Sequence, residues 1–320
     1  MTPPRGVLIL LIAGALPGST PLAAQYARCT SVIPSPGTQG CQVAVDAARA
    51  FQPLAGIVIS GGATLLGGGT LGTGHFSITT RVNAVGASIP DANSSTAASI
   101  RSIYSGLIPA PIVEAGVGVW RRLDLFGSTL LLPTGLVSGL TVGPNAPHLG
   151  SVALGLGLGA RFTVLQQPAL PLPSVTISVA RRWMPEVRYG DPPDTTQPNR
   201  YQFSANLQAT NARIQAGWRL GLWDAGVGLG LDHYHSYIRA SGQNTGFGIG
   251  GVAMWDTGPF DVATTRAVVF LNSDVRLERL QIVGEAGYVG GTSQTFTTNF
   301  ADFDPKAGHL FGGLGLRFGF

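Results

Sequence analysis

Charge is what this 320-residue sequence has least of: Asp, Glu, Lys and Arg together make up 11% of it. A soluble domain carries about a quarter, so a surface built from this chain would be too poor in charge for water. Lysine is almost missing, with Lys306 the single one among 20 basic residues. The arginines are scattered, the net charge is only +4, and no basic run of the kind that grips nucleic acid occurs. Also missing, beyond the N-terminus, is any run of about 20 apolar residues, which a membrane-spanning helix needs. An every-third-residue glycine period is absent, which excludes collagen, and an apolar content of 44% is too high for a disordered chain. What the chain does have is 46 glycines, roughly twice the usual share, and a mean hydropathy of +0.26. A greasy, glycine-rich chain without spanning helices fits one architecture, a membrane β-barrel.

Residues 1–24 read as a secretory signal peptide. Arg5 supplies the positive start, Val7–Leu16 the apolar core, and Leu22-Ala23-Ala24 a small-residue cleavage site before Gln25. No cysteine stands at that site, so a lipid anchor is not expected. Cys29 and Cys41 are the only cysteines. In an exported chain they are expected to form a disulfide, which would stabilise the fold by about 3 kcal/mol through restriction of the unfolded chain. Metal binding would need more ligands than two thiols. Next, Val43, Ala47, Ala50, Phe51 and Leu54 recur at near-helical spacing, which predicts a short helix that caps or plugs the barrel. The expected organisation is a periplasmic or luminal plug segment over residues 25–54 and a barrel over residues 55–320.

From Ala55 onward the pattern is alternation. Ser151–Leu165 sets Val152, Leu154, Leu156, Leu158, Ala160, Phe162 and Val164 against Ala153, Gly155, Gly157, Gly159, Arg161 and Thr163. Successive side chains of a strand point to opposite faces, so one face is a hydrocarbon band and the other is small or polar. His75–Gly86, Pro111–Arg121, Ser174–Trp183, Tyr201–Ala209, Ala212–Leu222, Ala225–Ile238, Val262–Val275, Leu280–Gly290 and Gly308–Phe320 alternate similarly. Ala55–Gly67, Thr129–Val142 and Gly246–Trp255 do so more weakly. The apolar parity flips between Leu207 and Ala212, which places a turn, or failing that a bulge, at Thr210-Asn211. Ten strands plus two of the weaker three predict an all-β, antiparallel, up-and-down transmembrane barrel of about twelve strands, within a range of ten to fourteen. Pro-, Asn-, Asp- and Ser-rich connections are expected around Ala87–Pro109, Tyr189–Arg200, Ala240–Thr245 and Thr292–Lys306.

The chain ends Leu314-Gly315-Leu316-Arg317-Phe318-Gly319-Phe320. Here it resembles bacterial outer-membrane β-barrel proteins, whose last strand typically ends in an aromatic residue. The resemblance implies that Leu314, Leu316, Phe318 and Phe320 form the signal read by the barrel-assembly machinery, and that the protein resides in the outer membrane among its lipids. It names no substrate.

Candidates for chemistry are few. His75 and Ser77 have the spacing of a histidine-activated serine in the manner of outer-membrane lipid hydrolases, but their polar neighbours Thr79, Arg81 and Asn83 mark a lumen-facing strand. His233 and His235 share a face and could share a metal, yet no third ligand stands beside them and Asp232 points the other way. Gly67–Gly69 and Gly226–Gly230 lack the lysine-hydroxyl ending of a phosphate loop. No cofactor and no metal are expected, nor is an enzyme. The alternation instead turns Arg81, Glu114, Arg161, Arg182, Arg213, Arg219, Asp232, Glu285 and Arg317 into the lumen, since charge facing lipid costs about 2–4 kcal/mol at mid-membrane. An arginine-rich lumen suggests a passive channel or uptake protein for small solutes. The alternative is a closed structural or surface-interaction barrel acting through its external loops, and a lipid hydrolase comes third.

Overall fold

In the computed structural model the two-residue periodicity becomes ten antiparallel strands closed into one ring. The structure describes residue 29 and residues 38–60, 69–91, 99–133, 140–143, 146–149, 152–167, 172–191, 201–247 and 251–320; residues 1–24, where a signal peptide is expected, lie outside them. The ring strands are β1 (Phe76–Pro90), β2 (Ser102–Trp120), β3 (Leu123–Pro133), β4 (Val152–Leu165), β5 (Ser174–Trp183), β6 (Tyr201–Leu220), β7 (Trp223–Phe247), β8 (Gly251–Leu277), β9 (Leu280–Val289) and β10 (His309–Gly319). Each pairs with the next, and β10 returns to β1 with Gly319 opposite Ser77 and Phe311 opposite Val85. The Phe76 and Phe320 backbones exchange hydrogen bonds of 3.1 and 2.9 Å and their rings stack at 4.7 Å, closing the seam.

Ten strands stand at the lower end of the expected range, two fewer than twelve. Ala55–Ser60 belongs to a helix, and residues 61–67 lie outside the described residues. Thr129–Pro133 is simply the end of β3, and Gly251–Trp255 the start of β8. There is also no turn or bulge at Thr210-Asn211: β6 runs unbroken through it, in continuous register with β7. Two expected connections are shorter than foreseen, because β1 runs to Pro90 with β2 starting at Ser102, and Ala240–Thr245 is part of β7.

The parity flip at Thr210-Asn211 has a different cause: the backbone keeps its direction while the two environments exchange places. Inward along β6 point Tyr201, Phe203, Ala205, Leu207 and Ala209, then Asn211, Arg213 and Gln215, all buried. Outward, Gln202, Ser204, Asn206, Gln208 and Thr210 give way to Ala212, Ile214, Ala216 and Trp218. β1 repeats this in reverse chain order, with Ser77, Thr79, Arg81 and Asn83 inward before Val85, Ala87 and Ile89. Strands β6, β7 and β8 hold 20, 25 and 27 residues, whereas crossing the hydrocarbon takes about 9–11. The surplus is built like a soluble protein, apolar inside and polar outside.

What makes the inside apolar is helix α1 (Thr38–Ser60). It lies in that end of the barrel, packed mainly against β6 and β7. Val43, Ala44, Ala47, Ala48, Phe51, Ile57 and Ile59 are buried there. Cys41 in α1 is disulfide-bonded to Cys29 with Cα atoms 5.7 Å apart, as expected. The opposite end carries two-residue turns at Arg121-Arg122, Gly221-Leu222 and Glu278-Arg279. We call these the loop end and the turn end.

Candidate functional site

The lumen divides into two layers. On the loop side, α1 is seated by contacts along its length. Phe51 stacks on Tyr189 at 5.7 Å and meets Phe203 edge-on at 5.4 Å. Thr264 donates a 2.9 Å hydrogen bond to Gln52. Gly56 lies flat against Tyr234, where a Cβ would fall within 2.7 Å of three ring atoms. The segment from Gly290 to Gly308 straps over the helix. Its Thr297 and Thr298 amides donate to the fully buried Asp46 carboxylate at 3.0 and 2.8 Å. Arg49 donates to the Thr295 carbonyl at 2.7 Å and lies over the Phe296 ring. The strap is pinned at its far side by Asp302, which accepts from the Ser102 amide and hydroxyl at 2.8 and 2.7 Å. Those two bonds hold the Asp302 carboxyl below the usual carboxylate range.

Towards the turn end lies a charged layer. Arg81, Glu114, Arg161, Arg182, Arg213, Asp232, Glu285 and Arg317 all project inward and are buried. Arg219 has the same parity but stands at the rim, where its side chain is 55% exposed and 3.8 Å from Asp224. The best-knit part joins β6 and β7. Arg213 forms a two-pronged pair with Asp232, which also accepts from Asn211 at 2.8 Å and from the Tyr234 hydroxyl at 3.0 Å. Asn211 accepts from Arg182 at 2.7 Å and donates to Ser60 at the end of α1 at 3.1 Å. Helix and charged layer are thus one network. A buried charge is tolerable only when paired and hydrogen-bonded, and around Asp232 the barrel supplies both.

Several members were missed in the sequence. Asp124 accepts from the Leu71 amide and faces Arg161 at 3.7 Å, Asp224 accepts from Arg276 at 2.7 Å, and Asp274 is buried at the same end. Asp124 and Asp224 lie two residues from a two-residue turn, where alternation is too short to show. Asp274 lies on a strand whose two faces are both apolar, Val268 and Phe270 on one and Val269 and Leu271 on the other, so parity does not tell inside from outside. Arg266 was missed too; it donates to the Gly290 and Ala307 carbonyls at the loop end. Inward glycines opposite phenylalanines complete the filling: Phe126 covers Gly159, Phe270 covers Gly228 and Phe311 covers Gly287, each its cross-strand partner.

The other candidates are dispersed. His75 is exposed before β1, with its ring nitrogen 3.3 Å from the Thr73 carbonyl, while Ser77 is buried on the inner face. His233 and His235 face outward, His233 against the Thr265 hydroxyl at 2.9 Å and His235 against Asp261 at 3.1 Å. Among the described residues no group of three histidine, cysteine or carboxylate side chains could hold a metal ion. Gly226–Gly230 is plain strand within β7. Leu314, Leu316 and Phe318 face outward and exposed along β10.

The chain matches no protein-family model and no curated protein in sequence. Among solved structures it is similar to the translocator domain of autotransporter NalP from Neisseria meningitidis, with a TM-score of 0.41 and 12% identity over 86% of this chain and 96% of that one. Against the outer membrane protease OmpT from Escherichia coli the TM-score is 0.37 and the identity 8%, over 77% and 96%. Against Ail, the attachment invasion locus protein of Yersinia pestis, they are 0.28 and 10%, over 78% and 99%. By its own geometry the architecture is that of a transmembrane β-barrel: a closed antiparallel ring with an apolar outer band and a charged layer in the turn half of the lumen.

Proposed function

We propose that this protein is an outer-membrane barrel closed by its own N-terminal helix, which acts through the part that stands beyond the outer leaflet. The observation that carries this reading is the double filling of the lumen: α1 occupies the loop half, and the inward arginines and carboxylates of the turn half are buried. In such barrels the short turns face the periplasm and the longer loops face outward, so the loop end is the surface end. The helix then enters from outside, and its disulfide lies on the oxidising side of the membrane. Residues 1–24 serve export, and the outward Leu314, Leu316 and Phe318 with terminal Phe320 serve recognition by the assembly machinery.

A passive channel for small solutes would require both layers to move aside. Planar-bilayer recording separates the readings. The purified full-length protein is expected to give no stepwise conductance. Deletion of residues 38–60 is expected to create some, because removal of α1 empties the loop half and deprives Asn211 of its Ser60 partner. A steady, ohmic conductance from the intact protein would sink the closed-barrel reading and restore the channel.

A further inference from the structure

At the seam between the first and last strands the pairing of the wall stops short of the length of β1, as that of β8 with β9 does at Val268–Val289. Pairing of β1 with β10 stops at Val85–Phe311, although β1 stays paired with β2 as far as Pro90. Beyond Val85 the seam edge of β1 has no strand beside it among the described residues; at its start the His309 ring meets the Gly86 carbonyl at 2.9 Å. Behind this gap is a cavity of about 460 Å³, within the size range of small-molecule sites. Ala50 and Leu54 of α1 form its floor, Ala87 and Leu107 its sides, and Phe303 of the strap its cover. It therefore reaches from the outer surface of the wall to the plug.

Its height is set by the residues around its mouth. Outward Val82 and Ala84 on β1 are followed by Gly86 and Ser88, so the hydrocarbon band ends there. Leu107 and Leu310 are 67% and 72% exposed, and Tyr288 is exposed at the same level as the partner of Leu310. Aromatic rings of this kind mark the membrane–water boundary. The mouth thus opens at the outer-leaflet interface, a placement that rests on the loop end being the surface end of the barrel.

The polar groups at the cavity select the head of a ligand. A carbonyl can only accept, so the His309 Nδ1 carries its proton towards Gly86, and the neutral ring offers Nε2 as an acceptor. Asp304, whose Oδ1 also accepts from the Lys306 amide at 2.9 Å, adds a carboxylate. The Ser88 and Ser105 hydroxyls are bonded to each other at 3.0 Å, which leaves one O–H to donate and oxygen lone pairs to accept. The negative charge of Asp304 beside the His309 acceptor favours a donor over a carboxylate at this rim. We infer that this cavity binds a single-chain amphiphile whose head donates hydrogen bonds, a long-chain alcohol or amine in preference to a fatty acid, taken laterally from the outer leaflet.

The test is photolabelling of the full chain in lipid nanodiscs with a diazirine-bearing dodecanol, mapped by mass spectrometry. Label is expected on residues 105–107 and 303–309, reduced at least tenfold by excess dodecanol and little by dodecanoate. Gly86→Leu is expected to abolish it, because a Cβ there meets only the Leu310 carbonyl, at 3.9 Å, and leaves room for a side chain. Asp304→Asn, which leaves the wall intact, is expected to let dodecanoate compete. Label spread evenly over the lipid-facing strands, or competition by both compounds alike in the unaltered protein, overturns the proposal. Neither result depends on conductance, so failure here leaves the closed-barrel reading to its own test.

Discussion

At Gly56 there is no room for a side chain. The Tyr234 ring lies flat on the helix backbone, so Gly56→Leu must either lift α1 or displace the ring, an overpacking cost of about 1–3 kcal/mol. The expected outcomes are a lower unfolding midpoint and the first appearance of channel openings in bilayer recordings. Asp232 is the second sensitive position. It neutralises Arg213 and accepts from Asn211 and Tyr234, so Asp232→Ala strands a buried guanidinium and is expected to cost about 3–5 kcal/mol in denaturant unfolding. The paired replacement Arg213→Met with Asp232→Leu is expected to recover part of that loss, because an apolar pair carries no desolvation penalty while the Asn211 amide and the Tyr234 hydroxyl still lose an acceptor. No recovery in the double variant would mean that the damage came from packing, not charge. Arg213 and Asp232 were visible in the sequence by strand parity alone. That they meet, and that Ser60 of the helix joins them, was not, because Ser60 and Asp232 are 151 and 21 residues from their shared partner Asn211.

Among the elements, β6 shows where alternation misleads. A shift of apolar residues from odd to even positions normally means that the strand has been interrupted, since an undisturbed strand cannot change the face it buries. Here both faces change meaning at the same height: the outside passes from water to lipid as the inside passes from helix to charged layer. Gln208 and Ile214 therefore point the same way into different solvents. A membrane-impermeant maleimide added to intact cells is expected to label Gln208→Cys and to leave Ile214→Cys untouched; equal labelling would return a turn to Thr210-Asn211. Further out, Arg239 on β7 donates to Asp256 on β8 at 2.8 and 2.9 Å, beyond the hydrocarbon band. These bonds hold the Asp256 carboxyl below the usual carboxylate range. A lowered native pKa favours the folded hairpin above about pH 3.9, and that contribution disappears as pH falls through the native value. Carboxyl titration by NMR is expected to place Asp256 below its value in an Arg239→Gln variant.

For the molecule as a whole, the low charge and high glycine content describe a chain with two interiors and two exteriors. The lower wall has lipid outside and paired charge inside, and the upper wall has water outside and an apolar helix inside. The sequence by itself determined the class, the disulfide, the presence of an N-terminal helix and the inward parity of part of the charged layer. Each of those rests on a local property: residue type, short spacing, or two-residue parity. Only the tertiary structure decided that ten strands close the ring, that α1 sits within the wall's loop half, and that Arg161 and Arg213 meet carboxylates while Arg182 and Arg317 meet amide and hydroxyl groups. The physical reason is that alternation reports which side a residue faces but not what fills that side, and the filling of β6 and β7 comes from a helix more than a hundred residues away along the chain.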